Sequence, residues 1–374
     1  MRARLRSISA VVVIPALSIL LALVVASVLI IFSGLVGPGG ELDLTLPFVA
    51  YASLLQGAFG SLRGISNTIV AATPLVLTGL SVGVGLKAGL FNIGATGQVL
   101  AGGFTAALVG VALADAPPLI AIGGAVLGGI LAGALAGFIP GFLKAYTGAH
   151  EVVTTIMLNA LIQLAISGLV NDVFKAQGPT FARTASVGNA VLAGLGSTTL
   201  HAGVLLAFAC VPFTFWLLWR TTTGFEIRAV GANPTAARYA GMNPRRMIIL
   251  TMSLCGAFAG LAGAIEILRL GYYPAVFGTS IGFDGITVAL LGQAHPIGIA
   301  FSALLLGAMR AGAPLMQIQA HVPVEIIDVI QGVILIFLTA EIVVRRVFRL
   351  RAGPVETGGE LQTITRSYGE KVAG

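Results

Sequence analysis

The feature of this sequence that most limits its possible folds is a succession of uncharged apolar stretches. The first runs from about Ile8 to Val36, directly after three arginines, and it is longer than a cleavable signal core of about 7 to 15 residues. In a bilayer, only a helix satisfies the backbone polar groups of such a segment from within the segment itself. We therefore predict an all-α polytopic membrane protein with about ten transmembrane segments, some of them broken or short. The predicted segments are approximately 8–36, 65–86, 91–114, 119–143, 151–170, 200–219, 247–268, 283–293, 297–315 and 324–344.

Composition supports this class and excludes others. Hydrophobic residues make up 57% of the chain and charged residues only 9%, against roughly a quarter charged in soluble domains. The net charge of +7 does not indicate nucleic-acid binding, because the basic residues gather at the ends of the apolar stretches. Cys210 and Cys255 both lie within apolar stretches and have no metal-type spacing, so neither indicates a disulfide or a metal site.

The distribution of lysine and arginine predicts the topology. Cytoplasmic loops carry the excess of these residues, which places both termini and the loop 220–246 inside. The long, nearly uncharged segment 171–199 is then external. Residues 1–351 form the predicted transmembrane domain, and the polar tail 352–374 is expected to be disordered. Between the first two spans, the residues around 48–60 are predicted to form a helix along the membrane surface.

The arginine-rich loop 220–246 contains a helix signal of its own. Asn233 is a suitable N-cap, Pro234 a suitable first helical residue, and Gly241 a suitable end about two turns later. A loop that only reverses the chain needs no helix, so this one indicates a docking surface for a cytoplasmic partner. The alternative is a solvated basic loop that only fixes the topology.

Two stretches that place polar side chains at membrane depth are candidates for the transport pathway. Residues 89–98 mix glycines with Asn92 and Gln98 next to Phe91, at the edge of a span. The apolar stretch 283–293 is too short to cross unaided. Irregular backbone and amides at membrane depth are tolerated where they are buried in protein or line a cavity. By side-chain type and depth, the candidate pathway residues are Phe91, Asn92, Gln98, Asn159, Asp284 and Gln293. The alternative for each is an interhelical contact.

Regularly spaced glycines predict where helices approach closely. Glycine recurs every four residues from Gly129 to Gly141, and again at Gly256, Gly260 and Gly263. Such spacing is typical of helix-contact faces in membranes. Separately, the stretches 92–98 and 284–293 each end in a Gly-Gln pair and begin at opposite membrane faces, which predicts two halves related by an inverted repeat.

Three stretches resemble one family. Residues 89–98, 150–159 and 224–243 are similar to the signature segments of ABC importer permeases for nucleosides and simple sugars, a group that includes ribose and branched-chain amino acid permeases. In one position, Thr96, the family usually has Glu. The resemblance implies a cell inner membrane complex of two permease subunits, the same or different, with two cytoplasmic ATPase subunits and an external solute-binding protein. The residues it implies for ATPase coupling are Gly224, Arg228, Gly231, Asn233, Pro234, Ala236, Ala237, Arg238, Tyr239 and Gly241.

The sequence also bears on rival functions. It contains no Gly-x-x-x-x-Gly-Lys-Ser/Thr loop, so ATP is expected to be hydrolysed by a partner, and no cofactor is expected in this chain. An intramembrane enzyme is disfavoured because no His-Glu-x-x-His motif is present. An ion-coupled secondary transporter of a small polar solute stays open as an alternative. Such transporters usually have buried carboxylates or histidines at mid-membrane, and Asp284 alone fits that pattern here.

Overall fold

The computed structural model describes residues 2–36, 43–194, 196, 198–278 and 280–339, and of residues 2–14, 34–36 and 339 it describes the backbone alone. The expected disorder of the tail 352–374 therefore lies outside the described residues. Within them the chain is all-α, as predicted, without a β-strand. The helices are α1 (Arg2–Val36), α2 (Leu46–Phe59), α3 (Leu62–Lys87), α4 (Ala95–Ala112), α5 (Pro118–Thr147), α6 (Glu151–Gly168), α7 (Ala202–Arg220), α8 (Thr222–Ala232), α9 (Pro234–Tyr239), α10 (Pro244–Leu270), α11 (Ser280–Leu291), α12 (Pro296–Ala320) and α13 (Ile326–Thr339).

Eight of these helices are long and apolar enough to cross a membrane, counted over the described residues. Together with the shorter α11 and α13 they coincide with the ten segments expected from the sequence, and α2 coincides with the helix expected along the membrane surface. The number of segments that cross the bilayer and the inverted repeat both stay predictions.

The chain divides into two compact units. The first contains the described residues of Met1–Ala72 and Leu304–Glu356. In it, the hydroxyl of Ser53 donates to Gln319 Oε1 at 2.7 Å, and Thr68 Oγ1 donates to the Ala58 carbonyl at 3.1 Å. Gly312 packs directly on the carbonyl of Leu54. These contacts hold α2, α3 and α12 together within this unit.

The second unit, described over Thr73–Ala303, is centred on α4, α5 and α10. The two glycine series predicted to be helix-contact faces meet each other here. A methyl group placed on Gly133 would lie 2.6 Å from Gly260 Cα, and one placed on Gly256 would meet the Gly133 carbonyl. α5 and α10 therefore touch backbone to backbone, as glycine permits and no other residue does.

The segment expected to be the main external loop is held against the end of α10. The Thr184 N–H donates to the Tyr273 carbonyl at 2.9 Å, and the Val187 N–H donates to the Gly271 carbonyl at 3.0 Å. The Arg183 guanidinium lies over the Tyr272 ring at 4.3 Å, a cation–π contact. This loop thus has a defined conformation.

Candidate transport and coupling sites

The loop between α3 and α4 contains two amides that bond each other. Asn92 Nδ2 donates to Gln98 Oε1 at 2.9 Å, and Gln98 Nε2 donates back to Asn92 Oδ1 at 3.1 Å. Asn92 Nδ2 also donates to Ser81 Oγ at 3.1 Å, and Asn92 Oδ1 accepts from the Gly94 N–H at 3.1 Å. Asn92 and Gln98 are 0% and 1% exposed. In a dry interior these reciprocal bonds fix the shape of the loop, because an unpaired amide there is costly.

A third amide attaches α6 to the same loop. Asn159 Oδ1 accepts from the Gly97 N–H at 2.8 Å, and Asn159 Nδ2 donates to the Ile93 carbonyl at 2.9 Å. The structure thus brings together three of the six candidate pathway residues, Asn92, Gln98 and Asn159. We call them the amide cluster. Phe91, next in the chain to Asn92, is half-buried beside it.

The remaining candidates lie on and after α11. Asp284 is 8% exposed on the first turns of this helix, and the neighbouring Gly282 packs directly on Thr96 at the start of α4. Asp284 is therefore close in sequence to the point where α11 meets α4. Gln293 lies nine residues further, in the turn after α11, with a positive φ of 53° and an exposed side chain.

The hydrogen bonds of the amide cluster lead to a stability prediction. We expect Asn92→Ala to lower the free energy of unfolding by about 1–3 kcal/mol, because the Gln98 amide and the Gly94 N–H lose their buried partner. The measurement is the thermal unfolding of the purified permease. Asn171→Ala is the matched control, because Asn171 is exposed and donates only to Ser167, four residues before it in the chain. Equal unfolding temperatures for the two variants would contradict a structural role for Asn92.

The arginine-rich loop 220–246 folds into two helices, of which the sequence analysis found one. α9 has the predicted cap, since Asn233 Oδ1 accepts from the Ala236 N–H at 3.0 Å and Gly241 follows with a φ of +85°. α8 was missed, although it has a readable cap: Thr221 Oγ1 accepts from the Gly224 N–H at 3.0 Å. The loop is therefore a folded element.

Gly224 and Gly231 of α8 each lie against the backbone of another segment, where a larger residue would not fit. A methyl group on Gly224 would lie 2.6 Å from Leu218 Cα, and one on Gly231 would lie 2.8 Å from Ala88 Cα. Arg228, between them, donates from Nε to the Leu218 carbonyl at 3.0 Å and lies over the Trp219 ring at 5.7 Å. α8 is thus bound to the last turn of α7 on one side and to the end of α3 on the other.

One face of α9 is exposed on the surface of the chain. Tyr239 is 91% exposed, and Ala236 and Arg238 are exposed beside it. Ala237 differs from the expectation that it forms part of the docking face. It is 3% exposed, because the helix turns its small methyl group into this chain, so its role is to support α9 from within.

A cavity of about 800 Å³ adjoins α9. Its charged lining residues are Arg220, Arg228 and Arg246 against Glu226, so the lining carries a net charge of +2 (three minus one). Trp219 and Phe225 supply aromatic surface, and Gly241 to Asn243 close the side next to α9. A wall of this composition suits an acidic or polar surface of a partner.

Sequence analysis also missed an aromatic contact beneath α8. The Trp219 ring lies 5.2 Å from the His295 ring, and Phe215 lies 5.8 Å from His295. Burial, and then the charge of Lys87, lower the pKa of His295 and so favour the neutral imidazole. His295 immediately precedes α12, and its pairing with Trp219 gave no local signal because 76 residues separate them in the chain.

Comparison with known proteins identifies the family. A family model described as the permease component of the branched-chain amino acid transport system matches residues 64–339. The chain belongs to this permease family. It is 36% identical, over 89% of its length and 94% of the relative's, to the guanosine ABC transporter permease protein NupP of Bacillus subtilis. It is 35% identical to the nucleoside ABC transporter permease protein NupB of Lactococcus lactis, over 80% and 85% of the two chains.

Relatives named for sugars are also similar to this permease. The glucose ABC transporter permease protein TsgB13 of Haloferax volcanii is 31% identical over 78% of this chain and 80% of its own. No solved structure matches the chain. The resemblance found in the sequence is confirmed: the chain is a permease subunit of an ABC importer, which is a transport component rather than an enzyme in itself.

Proposed function

We propose that this permease forms the membrane pathway for a nucleoside or a related sugar-like solute, which an external binding protein delivers. The observation that supports this solute class is the similarity to the guanosine permease NupP, which extends over nearly the whole of both chains. The similarity to a nucleoside permease and to a glucose permease keeps the choice within polar solutes that carry hydroxyl groups.

The candidate pathway residues fall into two roles in this proposal. The side-chain amides of Asn92 and Gln98 bond each other, and that of Asn159 bonds the backbone of Gly97 and Ile93. These three residues therefore shape the loop 89–98. Phe91, Asp284 and Gln293 lie outside the amide cluster, and in this proposal they contact the solute. An aromatic face and a carboxylate are suited to a base and to ribose hydroxyls, respectively. Thr96, where the family usually has Glu, supplies no carboxylate, and Asp284 is the acidic residue among the six candidates.

The energy for transport comes, in this proposal, from ATP hydrolysed by cytoplasmic ATPase subunits. Their docking surface is the exposed face of α9 together with the adjoining cavity, whose positive lining suits acidic side chains or helix C-termini of the partner. A second permease subunit, identical or different, completes the pathway. Both termini lie in the cytoplasm, and the complex resides in the inner membrane.

The solute class is tested by reconstituting the permease with its ATPase and binding protein in proteoliposomes. We expect ATP-dependent uptake of radiolabelled guanosine that excess uridine or adenosine inhibits and excess leucine does not. An ionophore that dissipates ion gradients should leave the uptake unchanged, because ATP drives it.

Other outcomes would reject parts of the proposal. Inhibition by ribose or glucose alone would move the solute class to simple sugars. Uptake that collapses with the ionophore and persists without ATP would support an ion-coupled transporter instead. Uptake of leucine in place of guanosine would show that the solute follows the name of the wider family.

A further inference from the structure

The C-terminal end of α8 contacts the loop that carries the amide cluster. Gly231 packs on the Lys87 carbonyl and on the backbone of Ala88. From the other side, a methyl group placed on Gly89 would lie 3.1 Å from the Gly231 carbonyl oxygen. No side chain stands between these two glycines, so the two backbones touch directly.

A second contact connects α8 with the turn that follows α11. Arg228 binds the last turn of α7 through the Leu218 carbonyl and the Trp219 ring, and the Trp219 ring in turn contacts His295. The two residues before His295 have φ values of 53° and 51°, a left-handed conformation that restricts how this turn can rearrange. A displacement of α8 would therefore shift the ends of both candidate pathway segments, 89–98 and 283–293.

α8 and α9 are joined with no intervening linker. Asn233 alone separates them, and it serves both helices: its N–H donates to the Ala229 carbonyl at 3.0 Å, and its Oδ1 accepts from the Ala236 N–H at 3.0 Å. Because one residue closes the first helix and caps the second, α9 cannot move far without taking the end of α8 with it.

We propose that α8 transmits the movement of α9 to the two interior segments, through the Gly89–Gly231 contact and through the Trp219–His295 contact. This inference rests on the proposed docking of the ATPase on α9. Gly89 and Gly231 are positioning residues in it: they do not touch the solute. A backbone-to-backbone contact transmits displacement well because it has no rotamer that could absorb it.

The amide cluster extends this path to α6. The loop 89–98 is closed by the Asn92–Gln98 pair and bonded to α6 through Asn159. A push at Gly89 therefore moves the loop and the start of α6 together, since bending the loop alone would break buried hydrogen bonds.

Gly231→Ala tests the proposal in the assembled complex. The new methyl group would meet the backbone of residues 87 and 88, so the end of α8 has to move away from the loop. We expect solute uptake per ATP hydrolysed to fall about tenfold, within the usual range of coupling between two sites. Association with the ATPase and ATP hydrolysis should persist. Alanine is the better helix former, so weakening of α8 itself does not account for the loss.

Ala232→Leu is the matched control, because Ala232 is the exposed neighbour on the same helix and its added volume enters solvent. Gly89→Ala tests the contact from the loop side, where the methyl group would lie 3.1 Å from the Gly231 carbonyl oxygen and the positive φ of 68° adds backbone strain. Uptake per ATP at the wild-type value in either glycine variant would overturn the proposal. So would failure of both glycine variants to assemble, which would assign the contact to folding alone. If instead the wild-type chain binds no ATPase, the proposed function itself is wrong.

Discussion

Replacing Gly133 by valine is expected to prevent most of the permease from reaching its folded state. A Cβ at this position would meet the Gly256 carbonyl and would lie 2.6 Å from Gly260 Cα and 2.8 Å from Gly260 N. Backbone atoms cannot rotate away as side-chain ends do, so α5 and α10 would have to separate along their contact. We expect a loss of about 3 kcal/mol or more in the free energy of unfolding, at the upper end of overpacking costs.

The measurement is the yield of monodisperse protein in detergent and its unfolding temperature. Gly123→Val is the matched control on the same helix, because nothing lies within 4 Å of a methyl group at Gly123. Both variants make the same chemical change in α5, so helix propensity cancels in the comparison. If Gly133→Val were as stable as Gly123→Val, the backbone contact between the two glycine series would not be present in the membrane.

This contact shows what the sequence could and could not predict about the fold. Each glycine series revealed a contact face, because spacing along one helix is a local property. That the face of α5 meets the face of α10 is a tertiary property, and no residue near either series signals its partner. Local signals were reliable elsewhere too: Asn233, Pro234 and Gly241 predicted the bounds of α9 closely, since caps act within one turn.

The candidate sites likewise combine local features that the sequence predicted with tertiary contacts that it did not. Amides at membrane depth marked the loop 89–98 as unusual, but their mutual bonds depend on the tight turn at Gly94 and on a residue of another helix, Asn159. α8 was missed because its charges and glycines concealed its helical pattern. Its capping residue, Thr221, was the available signal. The burial of Ala237 had no signal, because the rotation of a six-residue helix is set by what it packs against.

Tyr239 is the residue of α9 whose loss should weaken ATPase docking most. Its side chain is 91% exposed on a helix that is capped and closely joined to α8, so the ring is presented on a preorganised support. Exposed aromatic residues on rigid elements are common interface anchors, since they bury a large area at a small cost in side-chain entropy. Truncation of such an anchor costs about 2 kcal/mol or more, which corresponds to a loss of affinity of about thirtyfold.

We therefore expect Tyr239→Ala to insert and unfold as the wild type does, while its affinity for the purified ATPase and its ATP-driven uptake both fall. Tyr146→Ala is the matched control: Tyr146 is 59% exposed near the C-terminal end of α5 and touches Phe142 and Arg245 of its own chain. Loss of ATPase binding in the Tyr146 variant but not in the Tyr239 variant would move the docking surface from α9 to the end of α5. The same affinity in all three proteins would mean that neither exposed tyrosine anchors the ATPase. The positively charged cavity would then have to carry the contact, and charge reversal at Arg246 would become the deciding substitution.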